Sequence, residues 1–170
     1  ADRKGVDIIS TSLGYTEFDD SRYDYTYADM NGTTSFIARG AQIATEKGIF
    51  LTVSAGNSGS NSWHYISTPA DNAKVFTIGA VSSDGAAATF SSFGPNSAGI
   101  IKPDASARGL STYTVYANDV IQASGTSLSN PLAAGGIACL LQSLPNNISR
   151  EEIKTKLRQN ASLYPNYTAQ

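Results

Sequence analysis

The chain has 170 residues, 41% of them hydrophobic and 15% charged, which suits one globular domain with its own core. Twelve Lys and Arg stand against 14 Asp and Glu, a net charge of −2 with no basic stripe, which argues against nucleic acid as a partner. No run reaches the roughly 18 apolar residues of a membrane span, and no leader pattern is visible, so any export signal would have to lie upstream of residue 1.

Residues 1–5 read as a helix end running into a β-branched strand over 6–14. From Tyr15 to Thr34 the chain is rich in Asp, Tyr and Gly without a period, the pattern of a long surface loop whose tyrosines line a binding face or pin the loop. Phe36, Ile37, Ile43 and Ala44, with Ala38 and Ala41, predict an amphipathic helix from Ser35 closed by Gly48. Buried strands are expected over Ile49–Ala55 and Val75–Val81. The strand, helix, strand order predicts a βαβ unit and a parallel sheet.

Short β pieces follow at Thr112–Tyr116 and Asp119–Ala123, and a long apolar helix runs from Ser127 to about Leu144. Pro131 is placed in its first turn, where a missing N–H matters least. Cys139, the single cysteine, is expected in the core as a small hydrophobe. It leaves no internal disulfide and no multi-cysteine metal site. The last helix begins at Ser149, with a capping box to Glu152, Ile148 stapled to Ile153, and Ile153 and Leu157 facing the core.

Two segments carry chemistry. Gly125-Thr126-Ser127 puts a serine at a helix N-terminus, where orphan N–H groups and the positive end of the dipole would stabilise developing negative charge. Serine in that place is equally a plain helix cap. Val53 to Gly59 places Asn57 just past the C-terminal end of a buried strand, where α/β proteins bind ligands. Its amide is either an oxyanion donor or a turn residue tolerating a left-handed conformation.

Ser12-Leu13-Gly14, Ser54-Ala55-Gly56-Asn57, Phe90-Ser91-Ser92-Phe93-Gly94-Pro95, Ile101-Lys102-Pro103-Asp104 and Gly125-Thr126-Ser127-Leu128-Ser129-Asn130-Pro131, in that order, resemble the subtilisin-like serine peptidases. The resemblance covers nearly the whole chain. It implies an α/β fold, a three-layer, mostly parallel sheet flanked by helices and truncated at the N-terminal side, with residues 1–170 the C-terminal part of a single peptidase domain. It implies Ser127 as nucleophile and Asn57 as oxyanion donor, with Ser12, Leu13 and Gly14 pairing with an extended substrate backbone and Ala55 and Gly56 flooring a side-chain pocket. Asp104 takes a structural role in this reading.

The family carries its aspartate on an Asp-Ser/Thr-Gly strand end and its histidine in a His-Gly-Thr-His helix start, both before the Ser-Leu-Gly strand; neither motif occurs here. His64, the one histidine, follows Asn57 and reads as a pocket-rim or surface side chain. The expectation is therefore a secreted or cell-envelope serine endopeptidase acting on polypeptides, inactive as this chain alone. Its expected partner is the missing N-terminal half of the domain or a swapped copy, because a truncated sheet exposes apolar edges and faces. No cofactor or metal site is assigned to these residues; structural calcium is compatible with the full domain. The alternative is a catalytically dead domain of the same family that binds extended peptides or a partner. An α/β-hydrolase fails because no histidine follows Ser127.

Overall fold

The computed structural model describes residues 1–145 and 147–162. Four parallel strands form one sheet in chain order: β1 (Ile8–Thr11), β2 (Phe50–Ser54), β3 (Phe76–Val81) and β4 (Ala105–Arg108). Ile8 pairs with Phe50, Thr52 with Phe76, and Ile78 with Ala105. Helix α1 (Phe36–Glu46) connects β1 to β2. A two-stranded antiparallel ribbon, β5 (Thr112–Tyr116) and β6 (Asp119–Ala123), leads into α2 (Thr126–Ser143), and α3 (Arg150–Gln159) follows.

Period-2 alternation along the strands divides the core into two layers. Leu51 and Val53 lie in one cluster with Ala41 of α1, while Phe50, Phe76 and Ile78 lie in the other with Ile137 of α2 and Ile153 of α3. The sheet is thus sandwiched between α1 and the pair α2 and α3, the three-layer α/β arrangement that the family resemblance implies. Residues 15–34 carry two short 3-10 turns, Ser21–Tyr23 and Tyr27–Asp29, and no strand. Tyr27 pins this loop by stacking on Tyr65 at 3.9 Å between centroids and donating to the Pro95 carbonyl at 2.9 Å.

Three details differ from the sequence reading. In α1 the buried face is built from Ala38 and Ala41, whereas Phe36 is 81% and Ile43 55% exposed. Phe36 and Ile43 are seven residues apart and share the opposite face with Arg39, whose guanidinium lies 5.9 Å from the Phe36 ring. Small residues let the helix sit close to the sheet. Cys139 is exposed, because α2 turns Ala134 and Ile137 to the sheet and Cys139 falls on the other side with Leu132 and Gly135. Pro131 is the sixth residue of α2, beyond its first turn, so its missing N–H deprives the Ser127 carbonyl of its i+4 donor.

At α3 the Ser149 hydroxyl accepts from Glu152 N–H at 3.1 Å, and Ile148 packs in the cluster containing Ile153. Glu152 pairs with Lys156 at 3.7 Å. Beneath the helix, Asp104 ties three elements together. Its carboxylate accepts from the Thr77 N–H at 2.6 Å, Lys102 Nζ at 2.7 Å and Arg158 Nε at 2.8 Å. Lys102 also donates to the Val75 carbonyl, and burial holds its pKa below the usual lysine value.

Candidate functional site

The chain segments leaving β1 and β2 at their C-terminal ends meet the N-terminus of α2. Thr126, the first helical residue, is 1% exposed where its hydroxyl can act on the loop after β2. Its N–H donates to Asn57 Oδ1 at 2.9 Å, and its hydroxyl lies 3.0 Å from the same oxygen. The Gly56 N–H in turn donates to Thr126 Oγ1 at 3.2 Å. With Oδ1 occupied twice, the amide has one orientation, and its Nδ2 has no partner among the described residues. A Cβ at Gly125 would stand 3.5 Å from that nitrogen.

Ser127 is exposed, second in the helix, where backbone N–H groups lack intrahelical acceptors. Helix dipole, free N–H groups and the Asn57 NH2 thus converge on one side of the turn, a setting that favours negative charge. Ser12, just past β1, donates through its hydroxyl to the Ser127 carbonyl at 3.3 Å. Leu13 and Gly14 continue along the surface, with Leu13 40% exposed. Gly14 lies against Ser67 so closely that a Cβ there would collide with the Ser67 hydroxyl. Ala55 is fully buried in the layer under α1, while Gly56 is half-buried with φ +110 and faces Ser92.

The Phe90–Pro95 segment supports the Asn57 loop from behind. Ser92 donates its N–H to the Gly56 carbonyl at 2.9 Å and accepts from Ser58 N–H at 3.0 Å, while Gly59 N–H donates to the Phe90 carbonyl at 2.8 Å. Each of the two motifs thus satisfies part of the other's backbone. His64 lies elsewhere. Its ring stacks on Phe93 at 5.3 Å and packs on Tyr65 at 4.0 Å, its Nδ1 is 3.2 Å from the Ser62 carbonyl, and no bond joins it to Ser127 among the described residues. The contact of Thr126 with Asn57 is not legible in the sequence, since neither spacing nor residue type announces a contact across 69 positions.

No group of three or more His, Cys, Asp or Glu among the described residues is placed to hold a metal ion, and no described helix is long and apolar enough to cross a membrane.

The chain is 33% identical to serine protease AprX of Bacillus subtilis (strain 168) over 175 residues, covering 90% of this chain and 37% of that protein. It is 30% identical to subtilisin DY of Bacillus licheniformis over 164 residues, covering 95% of this chain and 52% of that protein. Among solved structures, that of the prenylagaramide maturation protease PagA superposes with a TM-score of 0.64 at 20% identity, over 91% of this chain and 51% of that one, which bears on the fold alone. The chain therefore spans between about a third and a half of the lengths of these relatives. The family profile described as the Subtilase family matches residues 1–169, and with these relatives it places the chain in the subtilase family.

Proposed function

We propose that these residues are the C-terminal part of a single peptidase domain and supply the nucleophile and oxyanion half of a serine endopeptidase. The observation that carries the reading is the Asn57 amide, locked by Thr126 through Oδ1 with its NH2 left beside the Ser127 turn. Ser127 Oγ attacks the scissile carbonyl of a polypeptide. Asn57 Nδ2 and the Ser127 N–H then stabilise the oxyanion. The exposed Ser12–Gly14 segment pairs with the extended substrate, and Ala55 and Gly56 lie under the side chain preceding the cut.

The hydroxyl proton needs a base, and none stands at Ser127 among the described residues. In this reading the histidine and its orienting aspartate come from polypeptide outside residues 1–170, and the chain by itself does not turn over peptides. The family setting supports export to the cell envelope or medium.

Reaction with a fluorophosphonate probe tests the proposal. A full-length polypeptide with a complete triad should label at Ser127, lose labelling in Ser127→Ala, and lose it again when cut back to residues 1–170. Absence of labelling in the full-length protein, with retained binding of an extended peptide, would replace this reading with that of a non-catalytic peptide-binding domain.

A further inference from the structure

Pro131 creates a specific vacancy in the hydrogen bonding of α2. It has no N–H, so the Ser127 carbonyl lacks the donor that a helix normally provides four residues on. The Ser12 hydroxyl fills that place at 3.3 Å. A serine hydroxyl has one hydrogen, and a carbonyl can only accept, so Ser12 spends its hydrogen on Ser127. Any further partner of Ser12 Oγ must therefore be a donor. That partner is Asn130, whose Nδ2 lies 3.2 Å from Ser12 Oγ and 3.1 Å from Ser10 Oγ. The Asn130 amide is thereby fixed, with its nitrogen turned to the two serines.

Asn130 is fully buried, and its Oδ1 has no hydrogen-bond partner among the described residues. A core position filled for packing alone would favour an apolar side chain over an amide with one end unsatisfied. Both amide hydrogens are used on alternate residues of the side of β1 that faces α2, Ser10 within the strand and Ser12 just past it, and the second of these carries the contact to the nucleophile turn.

We infer that Asn130 is a positioning residue that fixes the substrate-pairing segment after β1, Ser12 to Gly14, against the Ser127 turn through the relay Asn130 Nδ2, Ser12 Oγ, Ser127 carbonyl. The inference rests on the peptidase reading above. Asn130 touches no substrate. It sets the distance between the strand that holds the peptide backbone and the serine that attacks it, and a misplacement of about an ångström between such groups costs up to about a hundredfold in rate.

The test compares two reactions of the full-length protein. Cleavage of an extended peptide needs both the strand end and Ser127; labelling by a small fluorophosphonate needs only Ser127 and its oxyanion donors. Asn130→Ala should lower kcat/KM for the peptide about tenfold while the labelling rate changes less than about twofold. Ser12→Ala, at an exposed position that does not endanger folding, should give the same split. The double variant should be no worse than the worse single variant, since both break one relay. An equal fall in both reactions, an unchanged peptide rate in Ser12→Ala, or additive losses in the double variant would overturn the inference. A wild-type protein that neither labels nor cleaves would remove the peptidase reading itself, a result distinct from all three.

Discussion

The Thr126 hydroxyl lies 3.0 Å from Asn57 Oδ1 and 3.2 Å from the Gly56 N–H, so one side chain at the helix start holds both the amide and the backbone of the loop after β2. Its single hydrogen goes to Asn57, because the Gly56 N–H can only donate. Thr126→Val keeps the shape and the 2.9 Å backbone bond but removes this bridge. It should slow acylation of Ser127 about tenfold with little change in KM, and Thr126→Ser should restore most of the rate. Asn57→Ala should cost on the order of 100- to 1,000-fold in kcat, a magnitude established with the corresponding donor of subtilisin itself and carried over here. Steady-state kinetics on the full-length protein checks both.

Asp104→Asn should destabilise the fold by about 3–5 kcal/mol, because Lys102 would remain buried with its charge uncompensated. The side chains of Lys102 and Asp104 are 1% and 4% exposed, and Arg158 shares the same carboxylate. Urea denaturation of wild type and variant measures the difference; a loss below about 1 kcal/mol would mean the network contributes no more than an exposed pair.

Burial raises the pKa of Asp71 above the carboxylate value of 3.8, although the Gly32 N–H and other donors oppose the shift. The native state therefore holds this proton more tightly than the unfolded chain. The stabilisation is complete below the unfolded pKa and is lost as pH rises through the raised native value. Asp71→Asn should remove this particular decline, visible as a flatter stability profile from acid towards neutral pH in denaturant titrations.

Gly14→Ala should distort the Ser12–Gly14 segment, since the new Cβ collides with the Ser67 hydroxyl. Adding Ser67→Ala removes that oxygen and leaves the Ser67 Cβ 3.2 Å away, a tight contact that a small shift accommodates. The double variant should recover a substantial part of the peptide-cleaving rate lost in Gly14→Ala. No recovery would mean that the segment is constrained by the Thr68 carbonyl, 3.4 Å from the same position.

Residues 1–170 alone should associate, or bind a complementing chain. Phe36, Leu132, Tyr113, Val115 and Val120 are each more than half exposed, and α2 is apolar on the side turned from the sheet as well as on the side facing it. Small-angle scattering in dilute solution should give a mass above that of one chain of 17.8 kDa. A well-folded monomer would contradict this expectation.

Local pattern determined β1 to β3, the β5–β6 ribbon and the three helices of this protein, but not β4, whose Ala105-Ser106-Ala107-Arg108 becomes a strand only by pairing with β3. Runs rich in β-branched and aromatic residues specified β2, between Gly48 and Gly56, and β3, and Ser149 before Arg150-Glu151-Glu152 specified the start of α3, because these signals act within a few residues. The ordered motifs likewise made Ser127 and Asn57 legible as a pair. Which face of a helix is buried was decided by what the sheet presents, so small Ala38 and Ala41 went inward while Phe36, Ile43 and Cys139 stayed outside. The contacts that hold the site, Thr126 to Asn57 and Asn130 to Ser12, also belong to the tertiary structure alone. They join residues 69 and 118 positions apart, and a hydrogen bond depends on ångström distances that only the packed parallel sheet brings about.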